Sequence, residues 1–135
     1  MNSLSLPDYL PQKLVVLIAH GSRDPRWRQP FETLLAKIEA ENPQNPVVLC
    51  YMEMASPTLF EVLEPYKTAP PQQLEILPLF MSAGSHYTAD IQPMVEQVRQ
   101  WFPAAQVTLN PPIGEHPAFQ QLLQHTILTL TTTEF

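Results

Sequence analysis

The sequence predicts an α/β domain, an open four-stranded parallel sheet with helices on both faces in the flavodoxin-like order 2-1-3-4. Three observations carry this. Short apolar runs of strand length alternate with stretches whose apolar residues recur at helical spacing. The first run, Leu14-Val15-Val16-Leu17-Ile18-Ala19, is apolar on both faces, as a strand covered from both sides must be. The links between runs are short, which suits βαβ crossovers. At 135 residues, with 44% hydrophobic and 15% charged residues, the chain has room for one core.

Residues 1–12 carry Pro7 and Pro11 without periodicity and read as an irregular lead-in; residues 13–135 form the single domain. Lys13 to Ala19 is the first strand. Pro30 suits a first helical position, and Phe31, Leu34, Leu35 and Ile38 form a stripe that Asn42-Pro43 ends. Val47 to Met52 is the second strand. Ser56 reads as an N-cap and Pro57 as the first residue of a helix that buries Leu59, Val62, Leu63 and Tyr66. Thr68 to Gln72 is a proline-rich turn. Leu74 to Phe80 is the third strand, although Pro78 removes a ladder donor near its end. A loop with Gly84 leads to a helix with the stripe Ile91, Met94, Val95, Val98 and Phe102. Gln106 to Leu109 is the fourth strand. Phe119, Leu122, Leu123, Ile127 and Leu130 mark a last helix, and the threonine run to Phe135 is expected to fray.

Composition removes several function classes. A net charge of −6 argues against nucleic acid as a partner. No apolar run approaches the roughly 20 residues a membrane span needs. The N-terminus lacks the basic and apolar regions of a signal peptide, so a cytoplasmic protein is expected. The one cysteine, Cys50, cannot form an internal disulfide and reads as a small buried hydrophobe. An anionic ligand has to be met by local charge, for which Arg23, Arg26 and Arg28 are candidates, unless they only solvate a loop. Three glycines leave no phosphate loop, and Gly84-Ser85-His86 lacks the flanking pattern of a nucleophile elbow. Ala19 stands where a phosphohistidine-type phosphatase would use arginine.

In a parallel sheet all strand C-termini share one edge. Strand 1 ends at His20, strand 2 is followed by Glu53, strand 3 by Ser82, Gly84 and His86, and strand 4 by Gly114 and His116. Strands 1 and 3 are neighbours whose crossovers go to opposite faces, and ligands bind at such switch points. His20 and His86 are therefore expected to face each other there, with Glu53 on one flank and His116 on the other. Neutral imidazole suits divalent iron, cobalt, nickel, copper or zinc, and two protein ligands leave positions open for a substrate. Plainer readings stand beside this one. Glu53 also suits a solvated loop or the next helix N-terminus, and Asp90 reads as a first-turn carboxylate. His116 also suits a helix start, His125 an ordinary helical position, and Gly21 and Gly84 tight turns.

Four blocks carry a family resemblance: Ala19-His20-Gly21-Ser22-Arg23; Glu53-Met54-Ala55-Ser56-Pro57; Pro78-Leu79-Phe80-Met81 with Gly84-Ser85-His86 and Asp90-Ile91; and Pro112-Ile113-Gly114-Glu115-His116-Pro117. In this order they resemble the sirohydrochlorin chelatases, specifically the short single-domain CbiX type of the class II chelatases. The resemblance implies a chelatase-like half fold that works as a homodimer with a cleft between subunits. It implies ATP-independent insertion of a divalent metal, Co2+ foremost, into a sirohydrochlorin-type tetrapyrrole in cobalamin biosynthesis. Relatives use Fe2+ for sirohaem or Ni2+ for coenzyme F430, and no organic cofactor is implied. His20 and His86 match the metal-binding, catalytic histidines, and Glu53 matches an acidic position near them. Gln92 stands where proline is frequent and Ser85 where glycine is. Arg23 and Arg26 suit the peripheral carboxylates of such a substrate, as do Ser22, Ser85 and the adjacent Gly84. A non-catalytic carrier of metal or tetrapyrrole is the rival reading.

Imidazole coordinates metal only when neutral, and it protonates as pH falls through roughly 6.5. Metal insertion is thus expected to fail below about pH 6; a rate profile that stays flat well below that pH contradicts histidine ligation.

Overall fold

The computed structural model describes residues 12–84 and 87–132; the lead-in up to residue 11, Ser85, His86 and residues 133–135 lie outside the described residues. The expected fraying of the threonine run falls largely outside the described residues, and α4 runs as far as Thr131.

Four parallel strands, β1 (Lys13–Ala19), β2 (Val47–Tyr51), β3 (Gln73–Pro78) and β4 (Gln106–Leu109), stand in the order β2-β1-β3-β4, as the sequence predicts. Leu17 of β1 sits opposite Leu49 on β2 and Leu77 on β3. Side chains alternate across a strand, so the sheet has two apolar layers. In the first, Leu14, Val16, Ile18, Leu74 and Ile76 pack under Leu59 and Leu63 of α2 (Leu59–Leu63) and Val95 and Val98 of α3 (Gln92–Trp101). In the second, Leu17, Ala19, Leu49 and Tyr51 pack under Phe31 and Leu35 of α1 (Pro25–Glu41). Cys50 lies in the first layer, where burial pushes its thiol up to about 12. No described helix is long and apolar enough to cross a membrane.

The departures from expectation have local causes. α1 begins at Pro25 rather than Pro30, because Asp24 caps it by accepting the Arg26 N–H at 2.9 Å. Pro30 lies inside the helix, where it leaves the Arg26 carbonyl without its usual donor. Leu34 is exposed, and the stripe of α1 is only half-buried, at Phe31, Leu35 and Ile38. α2 is capped by Thr58, not Ser56. The Thr58 hydroxyl accepts the Glu61 N–H and the Glu61 carboxylate accepts the Thr58 N–H at 2.7 Å, a reciprocal arrangement that a serine without such a partner cannot match. The chain then continues as a 3-10 turn, Glu64–Lys67. β2 ends at Tyr51, one residue short of Met52, and β3 ends at Pro78, whose ring nitrogen has no proton to donate, rather than at Phe80. α3 is entered through a π-helical turn, Tyr87–Ile91.

The last helix forms as expected, α4 (Pro117–Thr131), but its apolar stripe is not buried. Phe119 and Leu123 are half-buried, whereas Leu122, Ile127 and Leu130 face water. α4 packs against the 3-10 turn that precedes it, Ile113–Glu115, instead of lying on the sheet. As a result α1 covers the second layer over β1 and β2, while Leu77, Leu79 and Thr108 on the same face stay half-buried.

Truncating Ile76, which is fully buried, to alanine is expected to lower unfolding free energy by about 2–5 kcal/mol in urea titrations. Leu34→Ala is expected to change it by no more than about 0.5 kcal/mol.

Candidate functional site

His20 leaves β1 directly after the buried Ala19 and stacks on Phe80, the ring centroids 4.0 Å apart and the planes 23° from parallel. The hydrogen bonds of the β1–β2 ladder continue beyond the strands. Met52 N–H donates to the Ala19 carbonyl at 2.8 Å and Glu53 N–H to the His20 carbonyl at 3.1 Å, which brings Glu53 beside His20. Gly21 makes this possible. Its φ is +103°, and a Cβ there would fall 1.7 Å from the Glu53 carbonyl oxygen. Met54 follows at φ 63°, a left-handed conformation that costs a side-chain-bearing residue about 1 kcal/mol or more.

A cavity of about 340 Å³ opens at this edge, lined among the described residues by His20, Met52, Glu53, Ala89, Asp90 and Met94. It combines an imidazole, two carboxylates and two thioether side chains. Asp90, which reads from sequence as a helix first-turn carboxylate, stands in the π-helical turn before α3 and reaches the cavity with His20 and Glu53. The one sequence cue is its place a helical turn after His86. His86 and Ser85 themselves lie outside the described residues. Among the described residues no three His, Cys, Asp or Glu side chains stand close enough to hold a metal ion together.

The remaining candidates occupy definite places. Ser22 Oγ accepts the Asp24 N–H at 3.1 Å, and the Ser22 carbonyl accepts from Arg28 Nη1 at 2.9 Å. Arg26 pairs with Asp24 at 2.9 Å and holds that carboxyl below the usual carboxylate range. Arg23 is exposed and makes no hydrogen bond or ion pair with a described residue. Gly84 is exposed, and a Cβ there meets nothing within 4 Å, so no close approach requires glycine. The tight contact belongs to Gly114: a Cβ there would lie 2.0 Å from the Met81 carbonyl oxygen. Gly114 N–H donates to the Phe80 carbonyl at 2.9 Å, and the Glu115 carboxylate accepts the Ala83 N–H at 2.9 Å. The turn after β4 thereby clamps the segment that leads to His86. His116 Nδ1 accepts the Ala118 N–H at 3.1 Å and caps α4; it is not part of the His20 cavity lining.

The sequence model of the CbiX family matches residues 14–130. A sirohydrochlorin cobaltochelatase of Methanopyrus kandleri is 30% identical over 87 residues, a match spanning 64% of this chain and 61% of that protein. Another, from Methanococcoides burtonii, is 24% identical over 117 residues, 81% of this chain and 89% of that protein. Among solved structures, a CbiX protein of Marinobacter aquaeolei VT8 superimposes with a TM-score of 0.72 at 30% identity, over 87% of this chain and 96% of that one. SirB of Bacillus subtilis, determined with Fe3+, superimposes with a TM-score of 0.73 at 18% identity, over 90% of this chain but 48% of SirB. The fold thus fills about half of the SirB chain.

Gly21→Ala has to displace the Glu53 carbonyl, and urea unfolding is expected to show a loss above about 2 kcal/mol. Gly84→Ala is expected to stay within about 0.5 kcal/mol of the parent protein.

Proposed function

The chain belongs to the CbiX family, and from that premise we propose that it is a sirohydrochlorin chelatase, inserting Co2+ into the tetrapyrrole without ATP in cobalamin biosynthesis. The observation that carries this reading is the convergence of His20, Glu53 and Asp90 on one cavity at the sheet's switch point. Relatives named sirohydrochlorin cobaltochelatase support it. A further solved SirB, from Bacillus subtilis subspecies spizizenii in complex with cobalt, shares the fold.

In the proposed reaction two pyrrole N–H bonds break, metal–nitrogen bonds form, and two protons leave. His20 and His86 hold the incoming ion through neutral imidazole nitrogens, leaving coordination positions open to the macrocycle. Stacking on Phe80 fixes the plane in which the His20 nitrogens lie, so the ligand is oriented before metal arrives. Glu53 and Asp90 act as proton acceptors beside the ion, and a carboxylate close to a leaving proton contributes to rate as a general base. Met52 and Met94 offer a polarizable apolar surface to the edge of the ring. Arg23, Arg26 and Ser22 meet the peripheral carboxylates, with Gly84 and Ser85 completing the set. The Ser22 oxygen already accepts from Asp24, so its O–H remains to donate.

The cavity of about 340 Å³ is too small to enclose a tetrapyrrole. The macrocycle therefore extends beyond this chain, which supports a homodimer with the substrate in the cleft between subunits. The same ligands also serve Fe2+ and Ni2+.

The test is a spectrophotometric assay of sirohydrochlorin with Co2+, Ni2+ or Fe2+. The protein is expected to accelerate insertion, with Co2+ fastest. His20→Ala and His86→Ala are expected to lose at least about 100-fold and Asp90→Asn about 10-fold or more. A rate equal to the uncatalysed one rules out the enzyme and leaves the carrier. Full activity in both histidine variants rules out the site.

A further inference from the structure

The four methionines among the described residues are gathered at one end of the molecule, the edge of the sheet where the strands end. Met52 and Met94 are half-buried in the wall of the His20 cavity. Met54 and Met81, by contrast, are 57% and 60% exposed. Met54 follows Glu53 at the exit of β2, and Met81 follows Phe80 at the exit of β3. β1 lies between those strands, so the two exposed thioethers stand on either side of His20 along the edge. Their backbones are closely held. Met54 takes a left-handed φ of 63° directly after the carbonyl that Gly21 admits, and the Met81 carbonyl is in close contact with Gly114. Backbone strain of this kind gathers at functional sites, and here it presents an apolar side chain to water beside the candidate metal ligand. An unbranched, polarizable thioether suits the flat face of a conjugated ring.

Exposure also decides which sulfur an oxidant reaches. Cys50, the one thiol, is fully buried and protonated at neutral pH, so it offers no reactive thiolate. Met52 and Met94 are shielded in part by the core they pack against. We propose that Met54 and Met81 are sites of reversible oxidation to methionine sulfoxide by hydrogen peroxide, and that this modification shuts the sheet edge to the macrocycle. The effect on the macrocycle rests on the chelatase reading above, whereas the modification itself does not. In the step, a sulfur lone pair attacks one peroxide oxygen, an S–O bond forms and the O–O bond breaks. The departing hydroxide takes the proton from the transferred oxygen and leaves as water; the thioether is oxidised by two electrons and the peroxide reduced by two. The product is polar and chiral where an apolar, flexible group stood. Its oxygen is a strong acceptor that a ring face cannot satisfy, so covering it with the macrocycle carries a desolvation cost that the thioether does not have. Methionine sulfoxide reductases reverse the change, with two thiols giving a disulfide and water. Two such groups flanking His20 make the edge sensitive to peroxide without altering an imidazole or a carboxylate.

Peptide mass spectrometry of the full chain tests this. The protein is treated with hydrogen peroxide in the absence of metal, the peroxide is removed with catalase, and far-UV circular dichroism controls for folding. Met54 and Met81 are expected to gain one oxygen at least about 5-fold faster than Met52 and Met94. Metal-free titration with sirohydrochlorin, followed by its absorbance, is then expected to show binding weakened at least about 10-fold. Methionine sulfoxide reductases of both stereochemical types, supplied with dithiothreitol, are expected to restore it. Met54→Leu/Met81→Leu is expected to bind sirohydrochlorin equally before and after peroxide, and each single variant to lose part of the sensitivity. Oxidation of all four methionines at one rate overturns the assignment. So does full oxidation of Met54 and Met81 that leaves binding unchanged. A loss of binding that persists in the double variant places the damage elsewhere and overturns it too. If the untreated protein binds no sirohydrochlorin, the chelatase reading falls, and the oxidation rates alone decide the modification.

Discussion

The geometry of the sheet edge depends on an absent atom, the Cβ of Gly21. The Glu53 carbonyl oxygen occupies the space that atom would need, and φ at +103° is open to glycine at little cost. With that contact, the first residues beyond β1 and β2 stay hydrogen-bonded to each other instead of separating. His20 is then set by backbone rather than by a flexible loop, and its ring settles on the buried Phe80. A side chain held in this way loses little freedom when it takes a ligand, which is what a preorganised site requires.

A second glycine does the same work on the other flank. Gly114 lets the turn after β4 press against the Met81 carbonyl, and Glu115 takes up the Ala83 N–H. The two glycines with close contacts thus stand at the exits of β1 and β4, and both bring neighbouring strand exits into register. Gly84, which has no close contact, lies between these fastened segments. The edge is built from stiff strand ends that carry the polar groups, with the sheet's buried residues directly behind them.

Much of this was legible in the residues. An apolar run that is hydrophobic on both faces and stops at a histidine places a central strand and its exit together, and the position of His20 follows from it, whereas the strand order rests on the repeated strand–helix alternation. The helix starts were less legible because several residues compete for each cap. Pro30 looks like a first helical residue until Asp24 and Pro25 are weighed, and Ser56-Pro57 looks like a start until Thr58 is seen to have Glu61 as its reciprocal partner. Asp90 was hidden because a carboxylate near a helix start has two uses, and a π-helical turn decides which way it is aimed. For α4 the periodicity identified apolar residues correctly and said nothing of whose surface would cover them. Hydrophobic patterning encodes a demand for burial, and another molecule can meet that demand as well as the chain's own sheet.

Cys50 completes the chemistry of the edge by being kept from it. Its thiol lies in the apolar layer behind the strand ends, and burial pushes it up to about 12, so it is protonated at neutral pH. Thiolates bind soft and borderline transition metals tightly, and a reachable one would trap an ion meant only to pass through. For the metal insertion proposed above, this chain leaves its traffic to imidazole and carboxylate donors, whose bonds to divalent ions exchange readily. Under that proposal the sequestered sulfur acts as a kinetic safeguard: cargo that meets no thiolate on its way in is free to leave with the macrocycle.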